Sequence, residues 1–226
     1  RKSSIEESVR VLRSYSRLMR EYGITQPDQV RVVATSAVRE AMNRLAFIDR
    51  VYIGTGLEVE PLDEAEVNRI TYMGVQPQLQ ADPRLASSRV VVVEIGGGTT
   101  EVLVVQSGNV LFSHTYRLGS LRLLEMMESV DAAPIKRRII METHNLRQVA
   151  QIREHVVSDA PLEMVAIGGD MRFAVKHLLD EEVIPDGLVY LSVSKLNQLA
   201  RRMMSLSEDE IAQQFDVSYQ DAETVV

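Results

Sequence analysis

Three consecutive glycines join two apolar, β-branched runs in Val92-Val93-Glu94-Ile95-Gly96-Gly97-Gly98-Thr99-Thr100-Glu101. Runs of this kind, separated by turn residues, predict two strands of an antiparallel hairpin. Glycines can hold the backbone in positions closed to other residues, so that amide groups converge on an anion, and Thr99 adds a hydroxyl donor. Gly96, Gly97, Gly98 and Thr99 are therefore candidates for a phosphate-binding loop. The alternative is a glycine-rich hairpin without such a role.

Two carboxylates flank this loop, one on each predicted strand: Glu94 and Glu101. Carboxylates in this position could hold Mg²⁺, directly or through water, and so bridge the metal to a phosphate. The alternative is a pair of solvated acids. The sequence thus offers Glu94 and Glu101 as candidate metal ligands.

A second glycine turn, Ile167-Gly168-Gly169-Asp170, leads from a predicted strand into a helix. The free amides at the start of a helix attract anions, which makes Gly168 and Gly169 candidate phosphate ligands. The alternative is an ordinary strand-to-helix turn in which Asp170 caps the helix. The Asp170 carboxylate opposes phosphate binding because it is negative and competes for the same donors.

The first third of the chain offers one candidate base and one candidate cation. Glu64 lies in the first turn of a predicted helix and could act as a general base, although helix capping and the helix dipole also explain an acid there. Arg39, in Thr35-Ser36-Ala37-Val38-Arg39, follows a buried strand and could bind phosphate through its forked donors, or lie on the surface of a helix.

Periodicity along the chain predicts mixed α/β structure. A third strand at residues 110–116 completes an antiparallel meander with the two strands of the glycine hairpin. Residues 81–88 predict a linker, which divides the chain into domains 1–85 and 89–226. Further predictions are a helix that ends at Gly74, strands at 163–167 and 188–193, a helix at 195–206 capped by Ser194, and a final helix opened by Ser207 and Glu210.

The composition excludes several classes of protein. The 226 residues carry 25 Lys and Arg against 32 Asp and Glu, a net charge of −7, which argues against a nucleic-acid partner bound through a basic surface. The absence of cysteine excludes disulfide scaffolds and thiolate sites and is compatible with the cytoplasm. Four histidines show no ligand spacing, and no apolar run is long enough to cross a membrane.

Taken in order, five motifs resemble the exopolyphosphatase and guanosine pentaphosphate phosphatase family. They are Ala34-Thr35-Ser36-Ala37-Val38-Arg39-Glu40-Ala41, Asp63-Glu64-Ala65 leading to Tyr72-Met73-Gly74-Val75, Glu94 to Glu101, Leu118-Gly119-Ser120-Leu121-Arg122-Leu123, and Ile167-Gly168-Gly169. The resemblance implies an actin-like (ribonuclease H-like) two-lobe fold with mixed sheets flanked by helices. It also implies Mg²⁺-dependent hydrolysis of terminal phosphoanhydrides of polyphosphate or guanosine pentaphosphate, and a homodimer.

The resemblance assigns a role to each candidate residue. Glu64 matches the proposed general base, Glu94 and Glu101 match acids near the metal and the attacking water, and Arg39 matches a basic phosphate contact. The phosphate loop is matched by Gly96, Gly97, Gly98 and Thr99.

The chain also departs from the family pattern. Aspartate is usual where Glu94 stands, threonine where Asp170 stands, and a first Asp-x-Gly-Ser-Asn loop and a C-terminal helix have no counterpart. We therefore expect a first lobe without its N-terminal strands, through truncation or divergence. Two other functions stay open: a regulator that binds polyphosphate or a nucleotide without hydrolysis, and another actin-like ATPase or kinase.

Overall fold

A computed structural model describes residues 2–128, 130–131, 134–156, 161–179, 187–219 and 221–222. By internal contacts the chain forms two compact units, Arg1–Val67 and Asn68–Val226. The lobe boundary at residues 85–89 stays a prediction. No helix in the described ranges combines the length and apolar character that a membrane crossing requires.

The first unit is mainly helical. Helix α1 (Lys2–Glu21) packs against α3 (Arg44–Thr55), with the short helix α2 (Ser36–Arg39) before it. A Cβ atom at Gly54 would lie 2.5 Å from Cγ1 of Val9, so glycine lets the two long helices approach closely. Strands β1 (Val32–Ala34) and β2 (Val59–Pro61) pair in parallel.

The second unit is built on a four-stranded sheet. Strands β3 (Arg89–Ile95), β4 (Thr100–Gln106) and β5 (Asn109–Tyr116) form the predicted antiparallel meander, and β6 (Leu162–Ile167) pairs in parallel with β3. The order across the sheet is β5-β4-β3-β6. Because β3 and β6 are parallel, the turns that follow them lie at the same edge.

One face of the sheet is covered by α4 (Glu64–Ala81) and α5 (Pro83–Ser87). The prediction that α4 ends at Gly74 is wrong, because the helix continues through Pro77 to Ala81. The predicted linker is also wrong: Asp82 caps α5 by accepting hydrogen bonds from the amides of Arg84 and Leu85. These segments are ordered because they supply core side chains, which pack as one cluster: Val75, Leu79, Leu85, Val90, Val92, Leu103, Val105 and Val165.

The opposite face of the sheet packs against α7 (Pro134–Val156), which follows α6 (Ser120–Glu128). Val91, Val102 and Tyr116 are buried there beside Ile152 and Val156. Burial raises the pKa of Tyr116, because removal from water disfavours the phenolate. Alternate residues of each strand thus bury against the two helical layers.

Three further helices, α8 (Gly169–Leu179), α9 (Val193–Met204) and α10 (Glu208–Phe215), form a separate apolar cluster. The predicted strand at 188–193 is wrong, because residues 188–192 pair with no strand among the described residues. Helix α9 begins after Ser192 rather than Ser194. The predicted capping box of Ser207 and Glu210 is confirmed at the start of α10.

Candidate functional site

The two glycine turns lie side by side at one edge of the main sheet. Glu94, near the end of β3, is in register with Ile167 at the end of β6. Gly168 has φ +124°, a conformation that favours glycine, and a Cβ atom there would lie 2.9 Å from the carbonyl oxygen of Ile95. The sheet topology therefore brings together two turns that are distant in sequence.

The first turn needs glycine for reasons of space. Gly96 and Gly97 do not have positive φ angles. Glycine is therefore not required at these two positions for a backbone conformation that other residues avoid. A Cβ atom at Gly97 would lie 2.8 Å from Cδ1 of Leu121, and one at Gly119 would lie 2.5 Å from the carbonyl oxygen of Gly97. The start of α6 thus packs directly on the glycine loop.

Hydrogen bonds from α6 hold the carbonyl groups of this loop. The Gly96 carbonyl accepts from the Ser120 amide at 3.3 Å, and the Gly97 carbonyl accepts from the Arg122 amide at 3.0 Å. The Arg122 side chain donates through Nε to the Gly98 carbonyl at 2.6 Å. The Arg122 side chain therefore supports the loop.

Fewer of the loop's amide groups than of its carbonyl groups take part in hydrogen bonds. The Gly96 amide donates to the Thr99 carbonyl at 2.9 Å. Within the described part of the chain, the amides of Gly97, Gly98 and Thr99 donate no hydrogen bond. Successive amides of this kind can bind the oxygens of an anion. The carbonyl groups of Gly96, Gly97 and Gly98 are thus already bonded to α6, while these three amides could donate to a ligand.

Glu94 and Glu101 face each other across β3 and β4. Residues opposite one another in an antiparallel pair have Cβ atoms about 4.5–5.5 Å apart, and like charges there are unfavourable. Glu101 is 5% exposed and Glu94 is half-buried. A cation between them would offset this repulsion.

The donor set fits Mg²⁺ but not a fully protein-enclosed metal. No group of three or more His, Cys, Asp or Glu side chains is placed to hold a metal within the described ranges. Mg²⁺ commonly takes one or two carboxylates and completes its shell with water and phosphate oxygens. Glu94 and Glu101 would supply such a pair.

At the second turn, the predicted N-cap is wrong. Helix α8 begins at Gly169, so Asp170 lies within the first turn instead of preceding it. Burial raises the pKa of the Asp170 carboxyl, because desolvation disfavours the charged form. A half-buried acid therefore stands where the turn would present amides to a phosphate.

The other two candidates, Arg39 and Glu64, belong to the first unit. Arg39 donates from Nη1 to the Leu62 carbonyl at 2.8 Å, and its Nη2 lies 3.7 Å from Glu64 Oε1. The surface alternative for Arg39 is wrong, since its side chain is only 18% exposed against 55% for Glu64. Arg39 joins the end of α2 to the start of α4.

Sequence reasoning did not single out two polar residues on α4. Thr71 donates from Oγ1 to Glu94 Oε2 at 2.8 Å. Asn68, 5% exposed, donates from Nδ2 to Oγ1 of Thr115 at 3.1 Å. The sequence does contain a signal for them, because both residues fall on the same helix face as the core residues Val75 and Leu79.

The Ppx/GppA phosphatase family matches residues 1–224 of the chain. The chain belongs to this family. Exopolyphosphatase 2 of Mycobacterium tuberculosis is 29% identical over 154 residues, which cover 64% of this chain and 45% of that protein. Guanosine-5'-triphosphate,3'-diphosphate pyrophosphatase of Photobacterium profundum is 30% identical over 98 residues, 43% of this chain and 19% of that protein. The chain thus spans less than half of these relatives.

Solved structures share the fold over the whole chain. An exopolyphosphatase from Cytophaga hutchinsonii superposes with a TM-score of 0.83 at 19% identity, covering 100% of this chain and 72% of that one. A Ppx/GppA family member from Aquifex aeolicus gives a TM-score of 0.69 at 23% identity, covering 100% and 71%. The chain therefore has the actin-like α/β fold that its sequence predicted.

Proposed function

We propose that this chain is part of a Mg²⁺-dependent hydrolase that releases terminal phosphate from polyphosphate or guanosine pentaphosphate. One observation carries the proposal: parallel pairing of β3 and β6 places two glycine turns together, beside the opposed carboxylates Glu94 and Glu101. Membership of the phosphatase family supports the same reaction class.

The phosphate would be bound by the first glycine turn. The amides of Gly97, Gly98 and Thr99 would donate to its oxygens, and the α6 contacts would keep the loop rigid before substrate arrives. Preorganised amide donors stabilise the charge that develops during transfer without further rearrangement. Gly168 and Gly169 would extend the same site at the start of α8, where free amides favour an anion.

Glu94 and Glu101 would hold Mg²⁺, which neutralises charge on the phosphate oxygens. Their opposition across two strands would favour a bound cation, since two adjacent carboxylates repel each other. Glu101, the more deeply buried of the two, would hold its carboxylate in a fixed direction.

Glu64 would orient and deprotonate the attacking water, and Arg39 would bind a phosphate oxygen. The exposed carboxylate of Glu64 can accept a proton from water. Arg39 is anchored through Nη1 on the Leu62 carbonyl, and its guanidinium carries further donors for a ligand.

The test is phosphate release from polyphosphate and from guanosine pentaphosphate by the full-length enzyme with Mg²⁺. Glu64→Gln should lower kcat by about a hundredfold or more, the usual contribution of a general base. Glu58→Gln, an exposed acid of the same unit, serves as the matched control. Equal rates for wild type and Glu64→Gln would reject the assigned base.

A second candidate is a regulator that binds polyphosphate or a nucleotide without cleaving it. Asp170 favours this candidate, because a half-buried carboxyl in the first turn of α8 opposes a closely bound terminal phosphate. Binding of polyphosphate without turnover would support the regulator. Faster hydrolysis of ATP than of polyphosphate would instead indicate another actin-like ATPase or kinase.

A further inference from the structure

The inward face of α4 changes character along the helix. Val75 and Leu79 are apolar and enter the core, whereas Thr71, one turn before Val75, and Asn68, two turns before it, are polar. A polar group taken out of water costs free energy unless it finds a hydrogen-bond partner. Thr71 Oγ1 and Asn68 Nδ2 each donate to a residue of the sheet, at the edge that carries the glycine turns, whereas the buried Oδ1 of Asn68 accepts no hydrogen bond from the described residues.

The residues they contact form one row across three strands. Thr115 on β5 is in register with Glu101 on β4, which is in register with Glu94 on β3. Asn68 bonds to the first member of this row and Thr71 to the last. The helix therefore holds the row at both ends, with the buried Glu101 between them.

The Thr71 contact acts on a flexible side chain. Glutamate has three rotatable bonds, and Thr71 Oγ1 fixes one carboxylate oxygen, Oε2, at 2.8 Å. A hydroxyl that donates to a carboxylate makes a stronger hydrogen bond than one between neutral groups. Oε1 is thereby left for another ligand.

We propose that Thr71 is a positioning residue that holds the Glu94 carboxylate in place for a divalent cation shared with Glu101. The inference rests on the proposed function, because it assumes that this acid pair takes a metal. Residues behind metal ligands commonly change affinity by about tenfold or more when they are altered.

The experiment measures Mn²⁺ affinity by paramagnetic titration of the full-length protein, together with kcat and KM for polyphosphate. Thr71→Val keeps the shape and removes the donor, and it should weaken Mn²⁺ binding about tenfold. Thr71→Ser keeps the hydroxyl and should restore wild-type affinity. Thr143→Val removes a hydroxyl that bonds only its own helix, to the Ile139 carbonyl, and should change nothing.

A double-mutant cycle with Glu94→Asp adds a second test, because the shorter side chain withdraws its carboxylate from Thr71. In that background Thr71→Val should have no further effect. Equal Mn²⁺ affinity for wild type and Thr71→Val, in an enzyme that releases phosphate, overturns the positioning role alone. A wild-type protein that neither binds Mn²⁺ nor releases phosphate overturns the proposed function as well.

Discussion

The carbonyl oxygen of Gly97 lies 2.5 Å from the position that a Cβ atom would take at Gly119. Neither glycine has a positive φ angle, so what excludes a side chain is the neighbouring backbone. The contact fixes the first turn of α6 against the glycine loop and so couples the stability of the fold to the shape of the candidate site.

Gly119→Ala should therefore destabilise the protein by about 1–3 kcal/mol, because backbone atoms must move to admit the methyl group. Gly74→Ala is the matched control: no atom lies within 4 Å of its Cβ position, inside α4. That change should stabilise by about 0.5–1 kcal/mol through helix propensity. Urea unfolding of both variants measures the difference, and equal midpoints would contradict the steric account.

His177 should make the protein sensitive to acid. Its ring packs between Phe173 and Phe215, with centroids 4.4 and 5.0 Å away. Burial, with a smaller effect of Lys176, lowers its pKa below the usual 6.5. The unfolded chain therefore takes up the proton first, and stability falls as the pH drops below about 6.5 until the folded-state pKa is passed.

His177→Leu should remove this dependence on pH. Thermal unfolding between pH 5 and pH 7.5 measures it, with His144→Leu as a control on α7. If wild type and His177→Leu lose stability in parallel on acidification, the burial of His177 is not the cause.

Asp170→Asn should stabilise the protein at neutral pH. Burial raises the pKa of Asp170 in the folded state, so the folded protein carries a penalty whenever this carboxyl is ionised. The advantage of asparagine should shrink as the pH falls through that raised pKa, because the wild-type carboxyl then becomes neutral.

Asp209→Asn provides the comparison, since Asp209 is an exposed acid in the first turn of α10. It should give no gain at neutral pH, because its loss weakens a favourable interaction with the helix dipole. Denaturant titrations at several pH values test both variants, and a pH-independent effect of Asp170→Asn would contradict the assignment.

Arg122→Ala should loosen the glycine loop. It removes the Nε donor to the Gly98 carbonyl, and a hydrogen bond of this kind contributes about 1 kcal/mol. We expect hydrogen exchange at the Gly96 amide, which donates to the Thr99 carbonyl, to accelerate about fivefold and pyrophosphate affinity to fall by a similar factor. Arg147→Ala, on the exposed side of α7, is the control, and unchanged exchange would refute the supporting role.

Local sequence signals predicted the centre of the second unit well. The runs around the glycine loop are rich in valine, bounded by turn residues and separated by short intervals, so β3, β4 and β5 could be placed almost to the residue. The glycine turns could likewise be assigned to strand ends. These features depend on neighbours in sequence.

The errors arose where distant contacts decide the structure. Pro83 and a lapse in periodicity predicted a linker, yet Leu85 is buried against Val90 and draws the segment into a helix. Pro77 lies inside α4 because Val75 and Leu79 on either side enter the core. Packing of this kind outweighs local preference and leaves no local signal.

The candidate site also combines features that local sequence predicts with features that only distant contacts determine. Sequence alone identified Glu94, Glu101 and the glycine turns as candidates, but their roles stay predictions. Thr71 could not be linked to Glu94 from sequence, because only the packing of α4 on β3 brings the two together. The steric requirement for glycine at position 119 could not be predicted from sequence either, because it depends on contact with the loop that contains Gly97.

The parallel pairing of β3 with β6 also orders events during folding. The meander closes through tight hairpins, but β6 can join it only after the whole of α6 and α7 has been synthesised and folded back. Pairings between segments so distant in sequence form late, because a long loop must close before they gain any contacts. The edge that carries the glycine turns is therefore completed late. A newly made chain would pass through a stage in which the hairpin of β3 and β4 has formed but the turn after β6 does not yet lie beside it.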